Sequence, residues 1–200
     1  MVENYTGMFD YIKVIEAQYR IANEISCKGN GKDAIPLFEF LVENAPQWKE
    51  APVCQLMIGI IYQNNEDFEE ASLAFEYLLT RYNKDRRAAD AASNYAVCLT
   101  EISRRYPRDE KSCRRALSAL ASYIHSYPDH HDYDAVRDIF DERHKHLIQM
   151  NYSRAFFYDK QKNYKAAIIA YTDFTKRFPS AEQTHAVQKR INELKQENKD

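Results

Sequence analysis

Glycine and proline are scarce in this chain, with 4 Gly and 6 Pro in 200 residues. That scarcity excludes a loop-rich or collagen-like chain and suits helices joined by short turns. Alternating Val/Ile/Thr runs are absent, and so are hairpin signals between such runs, which argues against sheets. No run of eighteen apolar residues exists, so no segment reads as a membrane-spanning helix. The first thirty residues, MVENYTGMFDYIKVIEAQYRIANEISCKGN, lack a basic start and a continuous apolar core, so they do not form a secretory signal. Cys27 follows Glu-Ile-Ser rather than the small-residue pattern that precedes a lipidated cysteine. Cys27, Cys54, Cys98 and Cys113 contain no CxxC pair, which removes support for zinc or thioredoxin-like chemistry. They read as small core residues between helices, able to pair only in an oxidising compartment. The net charge of -2 and pI near 6.3 make no demand for nucleic acid. Neither a G-x-S-x-G elbow nor a glycine-rich phosphate loop is present, so no catalytic residue and no cofactor are expected.

What the chain has is aromatic residues and helical period. Hydrophobic residues make up 44%, enough for a packed core, and 15 Tyr and 10 Phe suit helices that stack through aromatic ridges. Over Asp33–Asn44, Ala34, Leu37, Phe38 and Leu41 fall on one helical stripe, with Asp33 as the expected cap and Pro36 in the first turn. The spacing recurs in Phe68–Tyr82 as Ala71, Ala74, Phe75 and Leu78. It recurs again in Tyr164–Phe178 as Ala167, Ile168, Tyr171 and Phe174. Pro36, Pro46, Pro52, Pro107, Pro128 and Pro179 all fall at predicted helix starts or ends.

These stripes repeat in register. Aligned on Ala34, Ala71, Ala116 and Ala167, four residues on stand Phe38, Phe75, Leu120 and Tyr171. Seven on stand Leu41, Leu78, Tyr123 and Phe174, and twelve on stand Pro46, Asn83, Pro128 and Pro179. Twelve residues before the alanine come Ala22, Gly59 and Ala155 in the first, second and fourth units. This is the tetratricopeptide pattern: a small residue for close approach, aromatics in the wedge, and a breaker that ends the second helix. The intervals are 37, 45 and 51 residues rather than about 34. In the third unit Ala92 and Tyr95 are the best first-helix match, with about twelve extra residues through ISRRYPRDEKS. Tyr133–Gln161, free of Gly and Pro, reads as one helix about 40 Å long. The predicted fold is an all-α, right-handed solenoid of one domain over 1–200. Its units are placed at about 9–46, 51–83, 85–128 and 133–179. A capping helix over 181–196 carries Val187, Ile191 and Leu194 inward.

The extended turn with RDEKSCRRALSALASYIHSYPD, the long helix running into NYSRAFFYDKQKNYKAAIIAY, and the closing RFPSA resemble the BamD (YfiO) family of outer-membrane assembly lipoproteins. The matching pattern at the end of the long helix is Ala155, Phe157, Tyr158, Lys162, Tyr164, Ala166 and Ala167, and the likeness covers roughly Tyr19 to Ala181. The resemblance implies a non-catalytic periplasmic scaffold that works with a β-barrel insertase and other lipoproteins. It also implies membrane association through an N-terminal lipid that this chain does not carry, so the chain is expected to be a signal-less fragment. Other tetratricopeptide adaptors, a periplasmic cell-division coordinator or a cytoplasmic interaction protein, are the alternatives.

The expected working surface is the groove lined by first helices. Projecting groove positions gives Glu16, Tyr19 and Asn23 in the first unit and Val53, Leu56, Ile60 and Asn64 in the second. The third unit gives Arg86, Ala89 and Ser93, and the fourth gives Gln149, Tyr152 and Phe156. Mixed polarity with aromatic anchors suits an extended or helical peptide. PDHHDYD, residues 128–134, holds two His and three Asp but reads as a solvated loop rather than a metal site. His144 and His146, two apart, point to different helix faces. The basic residues Arg81, Lys84, Arg86, Arg87, Arg104, Arg105, Arg108, Lys111, Arg114 and Arg115 read as solvated helix faces balanced by nearby acids.

Overall fold

A computed structural model describes residues 3–29 and 31–197, with side chains over 11–29 and 31–196. The described residues are helical throughout, apart from short turns: α1 (Glu3–Cys27), α2 (Gly31–Asn44), α3 (Ala51–Asn64), α4 (Phe68–Arg81), α5 (Ala88–Arg105), α6 (Glu110–Ser126), α7 (Tyr133–Lys160), α8 (Tyr164–Arg177) and α9 (Thr184–Glu197). Each helix packs on its chain neighbours, and α3 also meets α5, as α5 meets α7. Hydrophobic clusters bridge successive helices. Phe38 and Ile58 share one, Phe75 and Cys98 the next, Leu120 and Val136 a third, and Leu147, Phe174 and Ile191 a fourth. No helix pair buries its apolar face alone, which is the logic of a tetratricopeptide-like helical repeat.

The backbone repeats as closely as the side chains do. After every second helix two hydrogen-bonded turns follow each other. They run through Ala45, Trp48 and Ala51, through Tyr82, Asp85 and Ala88, through Tyr127, His130 and Tyr133, and through Phe178, Ala181 and Thr184. The turns inside the first, second and fourth pairs place Gly29, Glu66 and Lys162 in the left-handed region, at φ 89°, 61° and 57°. There the amide of Asp67 donates to the Tyr62 carbonyl, and that of Asn163 to the Tyr158 carbonyl, closing the preceding helix. A left-handed residue with a Cβ is strained by about 1 kcal/mol. Glu66→Gly and Lys162→Gly are therefore each expected to stabilise the fold by roughly 0.5 kcal/mol after the added chain entropy. Urea unfolding midpoints measure this; a midpoint that falls in both variants would contradict it.

Two sequence expectations need correcting. Because α2 begins at Gly31, Asp33 lies in the first turn instead of capping it, and Pro36 falls in the second turn on the exposed face. The extra residues of the third pair lengthen its helices. α5 has 18 residues and α6 has 17, against 14 in α2, α3, α4 and α8. Asp109 caps α6, accepting from the Lys111 amide, so counting from the cap aligns Cys113 with Ala71 and Ala167. Cys113 and Ala116 lie one turn apart on the same face, and both are buried. On α5, Ala91, Ala96, Cys98 and Thr100 are fully buried, whereas Ala92 and Tyr95 are only half-buried.

All four cysteines are free thiols; Cys27 is exposed and the others are buried. Burial pushes Cys54 and Cys98 up to about 12 and raises Cys113, so none of these three offers a thiolate near neutral pH. The tail folds as expected, with Val187, Ile191 and Leu194 buried on α9.

Candidate functional site: a cleft at the end of the long helix

The predicted groove residues divide by environment. Tyr19 packs edge-on against Trp48, with ring centroids 5.2 Å apart, and belongs to the first core. Asn23 is half-buried and donates back to the Tyr19 carbonyl along α1. Glu16 is exposed. Leu56 and Ile60 pack against the second core, Val53 is half-buried, and Asn64 is exposed at the end of α3. In the third pair Arg86 is exposed, Ala89 is half-buried and Ser93 is buried. Gln149, Tyr152 and Phe156 border clefts. Gln149 lines a depression of about 670 Å³ beside Arg177–Gln183, and Tyr152 and Phe156 line another of about 500 Å³.

That second cleft is built from three helices. α7 supplies Tyr152 and Phe156, stacked at 6.1 Å, because residues four apart share a helical face. α8 adds Tyr164 and Tyr171, and α9 adds Val187 and Arg190. The floor is ionic. Asp159 accepts from Arg190 Nε at 2.9 Å and Nη2 at 3.0 Å, and from the Tyr171 hydroxyl at 3.3 Å. The hydrogen-bonded Arg190 guanidinium holds the Asp159 carboxyl below its usual range. Burial, with the Asp159 charge beside it, raises the Tyr171 phenol. At the lip, Lys160 Nζ sits 5.2 Å over the Phe156 ring, and the left-handed turn presents Lys162. Phe156 and its neighbour Phe157 are 42% and 58% exposed, large apolar surfaces left uncovered at the end of α7.

Sequence spacing found Tyr152 and Phe156 and missed the floor. Arg190 lies on the polar face of the capping helix, and only the fold carries it to Asp159, 31 residues away. A cleft with aromatic walls and a cationic lip suits binding: apolar side chains enter, and carboxylates pair at the rim.

Other expected features resolve simply. Arg87 pairs with Glu50 and Asp85, Arg104 with Glu101 and Glu142, Arg105 with Glu69, and Arg114 with Glu110. Much of the basic surface is thus balanced within the chain. His144 stacks on Phe140, while His146 faces the Pro107 carbonyl at 2.9 Å, so the two do not converge.

Residues 13–199 match the model of the YfiO family, described as outer membrane lipoprotein. The chain belongs to the YfiO family. The match runs from within α1 through α9, so the family assignment covers the cleft as well as the repeats. No curated protein matches the chain. Among the described residues of this YfiO-family chain, no helix is long and apolar enough to cross a membrane.

Proposed function

We propose that this protein is a non-catalytic scaffold of the BamD type, acting in outer-membrane β-barrel assembly on the periplasmic side of that membrane. Its partners are proteins: components of the assembly machinery or unfolded barrel segments. The observation that carries the reading is the family match over 13–199. The aromatic cleft and the exposed Phe156–Phe157 pair support α7 and α8 as the partner surface. Gln149, Tyr152 and Phe156 belong to this surface; of the groove positions nearer the start of the chain, Asn23, Val53 and Asn64 keep accessible surface, whereas Tyr19, Leu56 and Ile60 are partly buried against the cores.

A photo-crosslinking residue at position 156 tests the reading in cells. The expected product joins this protein to an outer-membrane barrel-assembly component or to an unfolded barrel precursor. Phe156→Glu is expected to weaken co-purification of that partner by roughly 30-fold, the size of a central aromatic contact of about 2 kcal/mol. Crosslinks solely to division proteins of the inner membrane, or solely to cytosolic proteins, would overturn the proposal.

A further inference from the structure

The junction before α7 contains chemistry that scaffolding does not use. His130 occupies the middle position of the double turn, where Trp48 and Asp85 stand at two other junctions. Its ring is nearly enclosed, 16% exposed, between α5 and α6. Nδ1 lies 2.7 Å from the Tyr123 hydroxyl and Nε2 lies 3.2 Å from Asp90 Oδ1. The His131 ring lies against that of His130, with centroids 4.1 Å apart, and is itself 72% exposed. One donor atom from each of Asp90, His130 and His131 falls within 4.8 Å of the other two. Asp132 adds a second carboxylate, 3.4 Å from His131 Nε2 and 3.9 Å from His130 Nδ1.

We propose that Asp90, His130 and His131 form a binding site for a divalent transition-metal ion, of which zinc is the representative. Two imidazoles and a carboxylate are a donor set for such ions, not for calcium or magnesium, which take oxygen. The spacing fits. Ligands about 2.0–2.1 Å from a tetrahedral zinc stand roughly 3.3 Å from one another. The His130–Asp90 pair already stands at 3.2 Å, and the exposed His131 side chain closes the remainder by a rotamer change. The outer partner is also in place. With the metal on Nε2, Nδ1–H donates to the Tyr123 hydroxyl, which fixes the ring's tautomer and tilt. Without metal, Nε2–H donates to Asp90 and Nδ1 accepts from the Tyr123 hydroxyl, so binding shifts the ring's one proton from Nε2 to Nδ1 with no net release. The carboxylates of Asp90 and Asp132 neutralise the incoming charge. Asp90 is on α5, and both histidines lie between α6 and α7. A bound ion therefore replaces a single hydrogen bond by coordination that fastens α5 to the start of the long helix.

Calorimetric titration of the tag-free, chelator-treated full chain with Zn²⁺ at neutral pH tests this. One equivalent is expected to bind at a dissociation constant on the order of micromolar or tighter, raising Tm as any ligand specific to the folded state does. Asp90→Asn and His131→Ala each remove one ligand outside the core, and each is expected to lower affinity at least about tenfold. Tyr123→Phe, which removes the outer partner, is expected to lower it by a similar factor while His130 stays in place. The double variant His144→Ala/His146→Ala is expected to bind as the parent does. Binding no tighter than about millimolar, undiminished affinity in both Asp90→Asn and His131→Ala, or loss of binding in the His144/His146 variant would each overturn the proposal.

Discussion

Replacing Phe75 with alanine is expected to destabilise the protein by about 3–5 kcal/mol, a Tm loss of roughly 6–20 °C for a chain of this size. Phe75 is fully buried and sits where α3, α4 and α5 share a core with Leu78, Ala91 and Cys98. Its ring lies against the backbone of Gly59. A Cβ built there would stand 2.4 Å from Phe75 Cε1 and 2.7 Å from two other ring carbons. Gly59 is therefore held by proximity, since its φ is not in the left-handed region. Gly59→Leu is expected to cost about 3 kcal/mol, because the enclosed ring has no room to move. The decisive measurement is the double variant. Removing Phe75 opens the volume that a leucine side chain at position 59 fills, so the pair is expected to lose about 2–3 kcal/mol less than the summed single losses. Strict additivity in chemical unfolding would show that the two residues do not share one space, and the physical account of the small-aromatic pair would fail.

The same pair explains why so much of the fold was legible. Ala22, Gly59 and Ala155 precede Ala34, Ala71 and Ala167 by twelve residues because two helices in close contact admit only small side chains there, and all six are buried. An identity dictated by contact between near neighbours in the chain survives as a spacing. The third pair was read less well because its additions lie inside both helices. Counting back from Pro128 selects Ala116, counting forward from Asp109 selects Cys113, and periodicity alone cannot choose between residues one turn apart. The projected groove positions meet different surroundings. Tyr152 and Phe156 border a cleft because α9 packs beside the end of α7, whereas Tyr19 packs edge-on against Trp48 at the margin of the first core. Polar contacts between distant segments left no trace in sequence. Asp90 meets His130 across 40 residues, and Asp159 meets Arg190 across 31. Each is an ordinary surface-type residue until the helices are stacked.

The Asp159–Arg190 contact has the second large expected consequence. Asp159 is 12% exposed and holds Arg190 in a two-point clasp, while Arg190 also reaches Glu193. It is a polar latch between α9 and α7, beside the apolar contacts of Val187, Ile191 and Leu194. Asp159→Ala removes the two-point acceptor of the Arg190 guanidinium and the acceptor of the Tyr171 hydroxyl. The expected loss is about 2–3 kcal/mol, kept below the full range for buried pairs because Arg190 retains access to solvent. α9 packs mainly on α8, so it should open locally before the whole chain unfolds, and its amide exchange is expected to quicken by roughly 30–150-fold. Amides of α3 and α4 should keep their rates. Tyr171→Phe, which leaves the ionic clasp, is expected to have a much smaller effect. The pH dependence has a fixed sign. The folded-state Asp159 carboxyl lies below its unfolded value of about 3.9, so its contribution is fully present above that pH and disappears as pH falls through the lower folded value. Acidification should thus release α9 early in the parent chain and lose that step in Asp159→Ala. Equal α9 exchange in parent and variant at neutral pH would show that apolar packing alone holds the capping helix, and that the ionic floor of the cleft is incidental to its closure.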